Sequence, residues 1–163
     1  MPATLTTRAA TEADVPTILA LIHELAEYEK LTHEVVATVE SLLETLFCPN
    51  PCAEALMGCV DGKAVGFALY FQNYSTFLAR PGLHLEDLYV QPAHRGCGLG
   101  KALITAVARI AYERGCGRYE WTVLDWNTPA IRFYESLGAE IKSDWRIMRV
   151  TGPALTAMAK LST

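Results

Sequence analysis

Apolar residues recur at helical spacing in the first part of the chain. The stripe predicts a first helix that continues to about Lys30. Thr11 and Asp14 precede it as a capping-box-like start, with Asp in place of the usual Glu. A Thr-rich strand is predicted at residues 4–9, and a second helix at 38–47, before two prolines. The stripe consists of Ile18, Leu21, Ile22, Leu25 and Tyr28.

The middle of the chain alternates between apolar segments and turn residues. Residues 53–60 and 64–71 flank the Asp-Gly pair at 61–62, which is the strongest hairpin signal in the sequence. Residues 73–82 are predicted to form a loop. Residues 83–90 carry apolar side chains at both alternating positions, which predicts a central strand covered on both faces.

The second half predicts a helix at 99–113, a strand at 119–124 and a helix at 127–138. Residues 140–142 and 145–150 are predicted to form a closing hairpin, before a short Ala-rich tail. This order of elements favours an α/β fold of the α+β type, in which one mixed sheet carries helices on both faces.

Composition indicates one ordinary globular domain over residues 1–163, because 51% of the residues are hydrophobic and 20% are charged. The formal net charge of −4 argues against a nucleic-acid partner. No apolar run is long enough for a membrane span. Five cysteines, without metal-ligand spacing and without a signal peptide, are expected to be reduced thiols in a cytoplasmic protein that holds no metal.

A glycine-rich turn lies between the predicted central strand and the next helix. Gly96, Gly98 and Gly100 leave the backbone free to direct several N–H groups toward the helix start, which suits an anion such as a diphosphate. Arg95 adds a fixed positive charge. A tight strand–helix turn without a ligand is the alternative. The spacing fits neither the P-loop nor the dinucleotide-binding fingerprint.

These residues resemble the acetyl-CoA loop of the GCN5-related N-acetyltransferases, the GNAT superfamily. The resemblance covers nearly the whole chain and implies a single GNAT-type domain with a mixed, mostly antiparallel sheet. Further similarities point to the diamine (spermidine/spermine) and thialysine acetyltransferase branch. The segments that carry the resemblance are Val90-x-Pro92-x-x-Arg95-Gly96-x-Gly98-x-Gly100, Leu85-Glu86-Asp87, Asp125-Trp126-Asn127, Phe133-Tyr134 and Trp145-Arg146.

The resemblance implies acetyl-CoA as co-substrate. A main-chain N–H near Tyr89 or Val90 would polarise the thioester carbonyl, which usually needs a bulge in the strand. Cys97 has no obvious histidine partner, so direct transfer is expected, without an acyl-cysteine intermediate. The implied cofactor-binding residues are Leu88, Tyr89, Val90, Arg95, Gly96, Cys97, Gly98, Leu99, Gly100, Lys101, Asn127 and Tyr134.

Two ionisable residues are candidates for proton transfer. The resemblance implies that Glu86 is the base, directly or through a water; an exposed strand carboxylate that pairs with a cation is the alternative. Tyr134 is the implied acid, because a phenol can donate a proton to a thiolate of similar basicity. Strand alternation places Asp87 on the opposite face from Glu86, which favours a structural role, with a contact to a cation as the alternative.

The resemblance also implies an amine pocket. Tyr28 and Glu29 are carried over as substrate contacts on the resemblance, whereas the sequence alone favours a solvated helix end. In this chain the segment before Trp145 is short and contains Lys142, where the diamine enzymes are richer in acid. Asp144 is the candidate substitute, and the added positive charge favours a shorter or zwitterionic amine over a long polyamine. The implied substrate-binding residues are Tyr28, Glu29, Glu86, Asp87 and Asp144.

The leading hypothesis is an acetyl-CoA-dependent N-acetyltransferase that acts on a polyamine, diamine or thialysine-like primary amine. A protein or peptide acceptor is the second hypothesis, and a CoA-binding regulatory module without turnover is the third. The family also implies a homodimer that shares C-terminal strands.

Overall fold

The computed structural model describes residues 3–161, which form two compact units, one ending at Thr122 and the second beginning at Val123. The first unit contains a five-stranded sheet in the order β1-β2-β3-β4-β5. The first four strands are antiparallel neighbours and β5 is parallel to β4, which confirms the mixed, mostly antiparallel sheet. The strands are β1 Leu5–Ala9, β2 Glu54–Val60, β3 Lys63–Ser75, β4 Arg80–Val90 and β5 Arg118–Trp121.

Helices cover both faces of this sheet. In β2, Met57 packs in a core cluster with Val15 and Ile18 of the first helix. The next residue, Gly58, faces Leu103 of the third helix at a distance that leaves no room for a Cβ. Because successive strand residues point to opposite faces, the two sets of helices lie on opposite sides. The helices of this unit are α1 Val15–Glu29, α2 Val39–Leu46 and α3 Leu99–Glu113.

The predicted capping box joins β1 to α1. The Asp14 carboxylate accepts a hydrogen bond from the Thr11 N–H at 2.8 Å and two from the Arg8 guanidinium at 2.7 Å. The Arg8 hydrogen bonds hold the pKa of this carboxyl well below its usual range. This ion pair, in which Asp14 is buried and Arg8 is 46% exposed, fixes where α1 begins.

The Asp-Gly hairpin is confirmed, since Asp61 and Gly62 both have positive φ, at 48° and 82°. The loop predicted at 73–82 is wrong. β3 and β4 continue through it, and Ser75 pairs with Arg80 across a four-residue turn. The polar residues of this segment gave no strand signal. In the structure Asn73 pairs with Gly82 across the two strands, and its Nδ2 donates to Glu120 Oε1 at 2.8 Å, so cross-strand contacts extend the ladder.

The second unit departs most from prediction. It contains α4 Thr128–Ser136 and α5 Gly152–Ala159, the latter in the Ala-rich tail. The closing hairpin predicted at 140–142 and 145–150 is absent, since residues 139–150 form neither helix nor strand. Trp145 and Met148 are 75% and 91% exposed. A strand needs a neighbour to pair with, and the segment has none within this unit.

Substituting Gly66 with alanine should destabilise the fold. An added Cβ would lie 2.7 Å from the Tyr89 carbonyl oxygen, a backbone atom that moves only if β4 shifts. We expect a loss of about 1–3 kcal/mol in the free energy of unfolding, measured by denaturant titration. Gly100→Ala is the control, because its Cβ would meet only Val90, at 3.9 Å. Equal stability of the two variants would contradict this packing.

Candidate active site

A β-bulge in β4 shapes the centre of the first unit. Leu69 of β3 pairs with Asp87, and the next residue, Tyr70, pairs with Leu85. Glu86 is therefore the extra residue, without a partner on β3. The bulge breaks the alternation on which the sequence argument relied. Asp87 lies on the face of Leu69, which packs against the α1 core, and Glu86 reaches the same side.

Two neighbouring strands separate at the same point. β4 pairs with β5 from Gly82 to Leu85, opposite Arg118 to Trp121, and β5 then ends. In the unit that ends at Thr122, residues 86–90 of β4 have a strand neighbour only on the β3 side. Their other edge presents main-chain N–H and C=O groups that an extended ligand can pair with.

Three carboxylates influence one another beside this edge. Burial, followed by the charges of Glu86 and Glu29, raises the pKa of Asp87 to about 6. Burial also raises the pKa of Glu29 at the end of α1. The prediction that Asp87 points away from Glu86 is thus wrong, because the bulge brings the two into one electrostatic cluster. Such a cluster of acidic groups favours a cation.

Tyr28 and Arg95, both predicted site residues, contact one another. The guanidinium of Arg95 lies over the Tyr28 ring at 5.0 Å and the Tyr89 ring at 5.4 Å. Its Nε donates to the Val90 carbonyl at 2.9 Å, and the Tyr89 hydroxyl donates to Glu24 at 3.2 Å. These cation–π and hydrogen-bond contacts fix the entrance of the glycine turn between α1 and β4.

The glycine turn has the geometry that its sequence predicts. Gly96 and Gly98 have φ of 78° and 97°, a region that favours glycine. Gly98 is the N-cap of α3, and the Ala102 N–H makes the first helical bond to its carbonyl. The N–H groups of residues 99–101 thus have no partner one turn earlier in the helix. The Cys97 thiol donates to the His94 carbonyl at 2.9 Å.

The second unit holds the remaining candidates. Asn127 is buried and caps α4, where its Oδ1 accepts from the Ala130 N–H at 3.4 Å. Tyr134 lies in the same helix, with its ring 5.4 Å from that of Phe133. Asp144 is exposed in the irregular segment, and Lys142 is paired with Glu140 at 2.8 Å. The roles implied for Asn127, Tyr134 and Asp144 stay predictions.

Sequence reasoning passed over two residues beside the carboxylate cluster. His84 lies 3.8 Å from Glu86, measured from Nε2 to Oε2. Glu24 binds both Tyr89 and Gln91, the latter at 2.8 Å. His84 had a sequence signal in its spacing, two residues before Glu86 on the same strand. Glu24 had none, because its contacts lie more than sixty residues away in sequence.

Residues 3–161 contain neither a metal-binding cluster nor a membrane-spanning helix. Within that range, no three histidine, cysteine, aspartate or glutamate side chains are grouped so as to hold a metal ion. In the same range, no helix has the length and apolarity that a bilayer crossing requires.

The chain is similar to known acetyltransferases. A profile of the Acetyltransferase (GNAT) family matches residues 20–139. L-ornithine N5-acetyltransferase NATA1 of Arabidopsis thaliana is 36% identical over 95% of this chain and 88% of that protein. Thialysine N-epsilon-acetyltransferase of Sus scrofa is 39% identical, over 93% and 95%. An integron cassette protein from the mobile metagenome of V. cholerae shares the fold, with a TM-score of 0.80 over 99% of both chains and 24% identity.

The chain therefore belongs to the GNAT family and is an N-acetyltransferase. The membership agrees with the glycine turn before α3, the bulged β4 and the separation of β4 from β5. It also confirms the family that the sequence motifs indicated.

Replacing Asp87 with asparagine should stabilise the protein above pH 7. The pKa of Asp87 rises from 3.8 to about 6 on folding, so the folded state binds the proton more tightly than the unfolded state. Stability is therefore lost as the pH rises through this window. We expect Asp87→Asn to regain roughly 1–3 kcal/mol above pH 7 and nothing below pH ~4, in denaturant titrations across pH.

Glu44→Gln is the control for this prediction, because Glu44 lies on the exposed side of α2. Its stability relative to the wild type should not vary over the same window. An Asp87→Asn advantage that stays constant with pH would show that the carboxyl is not perturbed as described.

Proposed function

We propose that the protein is an acetyl-CoA-dependent N-acetyltransferase that acetylates a primary amine of a small diamine or thialysine-like acceptor by direct transfer. The observation that carries the proposal is the group formed by Glu29, Glu86 and Asp87 beside the open edge of β4. This acidic cluster suits an ammonium group, and it lies on the strand that would pair with the thioester arm by the family pattern.

The glycine turn and β4 support the cofactor part of the proposal. The N–H groups at the start of α3, together with the positive end of the helix dipole, would hold the diphosphate of CoA. The main chain of Leu88, Tyr89 and Val90 would pair with the pantetheine arm as an added strand does. One N–H of this stretch would polarise the thioester carbonyl. Asn127 enters the proposal through its sequence motif alone.

The end of α1 supports the acceptor part. Glu29 is the last residue of α1, whose C-terminal carbonyls carry the negative end of the helix dipole. An ammonium bound between Glu29 and Asp87 gains from both carboxylates and from this dipole. Its arrival would also favour the charged form of Asp87, whose pKa burial and neighbouring acids raise to about 6. The ring of Tyr28, which is 38% exposed, would line one side of the acceptor site.

The proposed reaction begins when Glu86, directly or through a water, removes a proton from the acceptor ammonium. The neutral amine then attacks the thioester carbon and a C–N bond forms, the nitrogen loses its second proton to water, and the C–S bond breaks. The leaving thiolate takes a proton, for which Tyr134 is the proposed donor on the basis of its motif, and the Tyr134 phenolate regains a proton from water. The side chain of Glu86 is 54% exposed, so the base stays accessible to the acceptor and to solvent.

Amino-acid amines are the preferred acceptors in this proposal. Two relatives are named for ornithine and thialysine, which are zwitterions that carry a side-chain amine. Asp144 is the proposed contact to a distal ammonium, and the Lys142–Glu140 pair contributes no net negative charge there. A long polycation such as spermine is therefore expected to be the poorer acceptor. Five unpaired cysteines favour a reducing, cytoplasmic setting.

Two substitutions test the catalytic assignments. We expect Glu86→Gln and Tyr134→Phe each to lower kcat by roughly 10²–10⁴-fold, since each removes a proton-transfer group. The assay follows thiol release from acetyl-CoA with thialysine, ornithine, spermidine and spermine, while calorimetry follows CoA binding, which both variants should keep.

The matched controls are Glu113→Gln and Tyr112→Phe, adjacent exposed residues at the end of α3. Both should keep wild-type kcat. A wild-type protein that binds CoA but releases no thiol with any amine would support a regulatory module instead, and one that acetylates only peptides would support a protein acceptor.

We also propose that the protein is a homodimer joined through its irregular C-terminal segment. Residues 139–150 form neither helix nor strand, and Ile147 and Met148 are 65% and 91% exposed. Exposed apolar side chains on such a segment favour contact with a second chain. The same segment is the one whose sequence predicted strands, so the strand signal is consistent with a pairing between two chains.

Light scattering after size-exclusion chromatography tests this assembly. The wild type should have twice the 17.9 kDa chain mass, and an Ile147→Ser, Met148→Ser double variant should shift toward one chain mass. Val36→Ser, at a residue 87% exposed in the first unit, should leave the mass unchanged. A wild type that runs at one chain mass at all concentrations would refute the dimer.

A further inference from the structure

His84 is the one imidazole that contacts the proposed base among the described residues. It lies on β4 two residues before Glu86, and its side chain is 19% exposed. Its ring stacks on Phe71 of β3, with the centroids 5.0 Å apart and the planes at 28°. The stacking fixes the plane of the imidazole, and Nε2 lies 3.8 Å from the Glu86 carboxylate.

His84 and Glu86 meet because they lie two residues apart on one strand, and the bulge adds Asp87 to the face that they share. His84 pairs with Phe71, and Asp87 pairs with Leu69, so both lie on the α1 face of the sheet. In a regular strand Glu86 would share this face with His84 and Asp87 would not. The extra residue therefore places Asp87 on the same face as His84 and Glu86. The Glu86 side chain is 54% exposed, and its carboxylate lies 3.8 Å from Nε2, just beyond hydrogen-bond distance.

The chemistry of the proposed reaction gives this contact a use. Each turnover leaves the acceptor's proton on Glu86, and the carboxylate must lose it before the next cycle. Imidazole is the side chain that ordinarily gains and loses a proton between about pH 5 and 8, so it exchanges protons with solvent near neutral pH. A carboxylate with an adjacent imidazole is therefore a better proton acceptor at this pH than a carboxylate alone.

We propose that His84 is the positioning and proton-relay residue of Glu86: it orients the carboxylate toward the acceptor and receives the proton that Glu86 removes. This inference rests on the proposed function. The acceptor's N–H bond breaks and its proton passes to the Glu86 oxygen. A second transfer moves a proton from Glu86 to the neutral Nε2 of His84, which releases it to water. No oxidant or further reactant is needed.

Other charged groups also face His84. Asp87 of β4 and Glu29 of α1 belong to the same acidic cluster. Glu120 of β5 is the strand neighbour of His84, but its Oε1 accepts from Asn73 at 2.8 Å and lies 3.2 Å from Arg118 Nε. Among the described residues, Glu86 is thus the carboxylate within 4 Å of the imidazole, at 3.8 Å. Burial raises the pKa of Asp87 to about 6, so the experiment must distinguish its contribution to the pH profile from that of His84.

The test compares His84→Gln and His84→Phe with the wild type in thiol release from acetyl-CoA. Glutamine keeps a polar side chain without a titrating group, and phenylalanine keeps the stacking on Phe71. Both should lower kcat about 10–100-fold at pH 7, less than the loss of the base itself because Glu86 remains, with KM for amine and acetyl-CoA changed less than about threefold. Added imidazole should restore part of the activity of His84→Ala.

The pH profile separates a relay from a purely structural role. In the wild type, kcat should fall toward acid pH, and in His84→Gln this acid limb should move to lower pH. Asp87→Asn should keep the limb, which assigns it to the imidazole. His33→Gln, at an exposed histidine, is the matched control and should keep both kcat and the profile.

The outcomes distinguish this inference from the function on which it rests. Wild-type turnover with an unchanged kcat and acid limb in folded His84→Gln overturns the relay and leaves the acetyltransferase proposal standing. An acid limb that disappears in Asp87→Asn also overturns it. A folded wild type that releases no thiol with any amine overturns both. Thermal unfolding shows whether each variant is folded, and imidazole rescue supports the relay where one substitution perturbs the fold.

Discussion

One extra residue in β4 determines the chemistry of this site. Because Glu86 has no partner on β3, the strand turns Asp87 toward the α1 side, where Glu29 lies. The same stretch of β4 loses its β5 neighbour after Leu85. An acidic cluster and an open strand edge thus arise at one place, and both follow from how β4 pairs with the strands on either side.

Keeping this cluster ionised costs stability. A carboxyl whose pKa is raised by burial and like charges is unfavourable in its ionised form. Other contacts anchor the helix that carries Glu29: the Arg8–Asp14 ion pair at the start of α1, and Arg95 over the rings of Tyr28 and Tyr89 at its end. α1 is thereby held at both ends, which keeps Glu29 beside β4. Carboxyl groups with a perturbed pKa are common at sites of binding or catalysis.

The contrast between the glycine turn and the C-terminal segment shows where sequence patterns suffice. The turn forms as predicted because glycine conformations and helix starts depend on a few neighbouring residues. Residues 145–150 have an equally clear strand pattern yet form no strand. A strand is completed only by a partner, and a pattern of side chains carries no information on where the partner lies.

The sequence by itself determined the α1, α2 and α3 helices, the Asp-Gly hairpin, the glycine turn and, through its motifs, the acetyltransferase family, since each depends on local spacing or on residues close in the chain. It also named Glu86, Asp87 and Glu29 as candidates. Only the tertiary structure decided how they meet. The register shift between β3 and β4 reverses the facing of Asp87, so that it joins His84 and Glu86 on one face. A bulge reflects the pairing of two strands, and alternation along either strand alone predicts the wrong face.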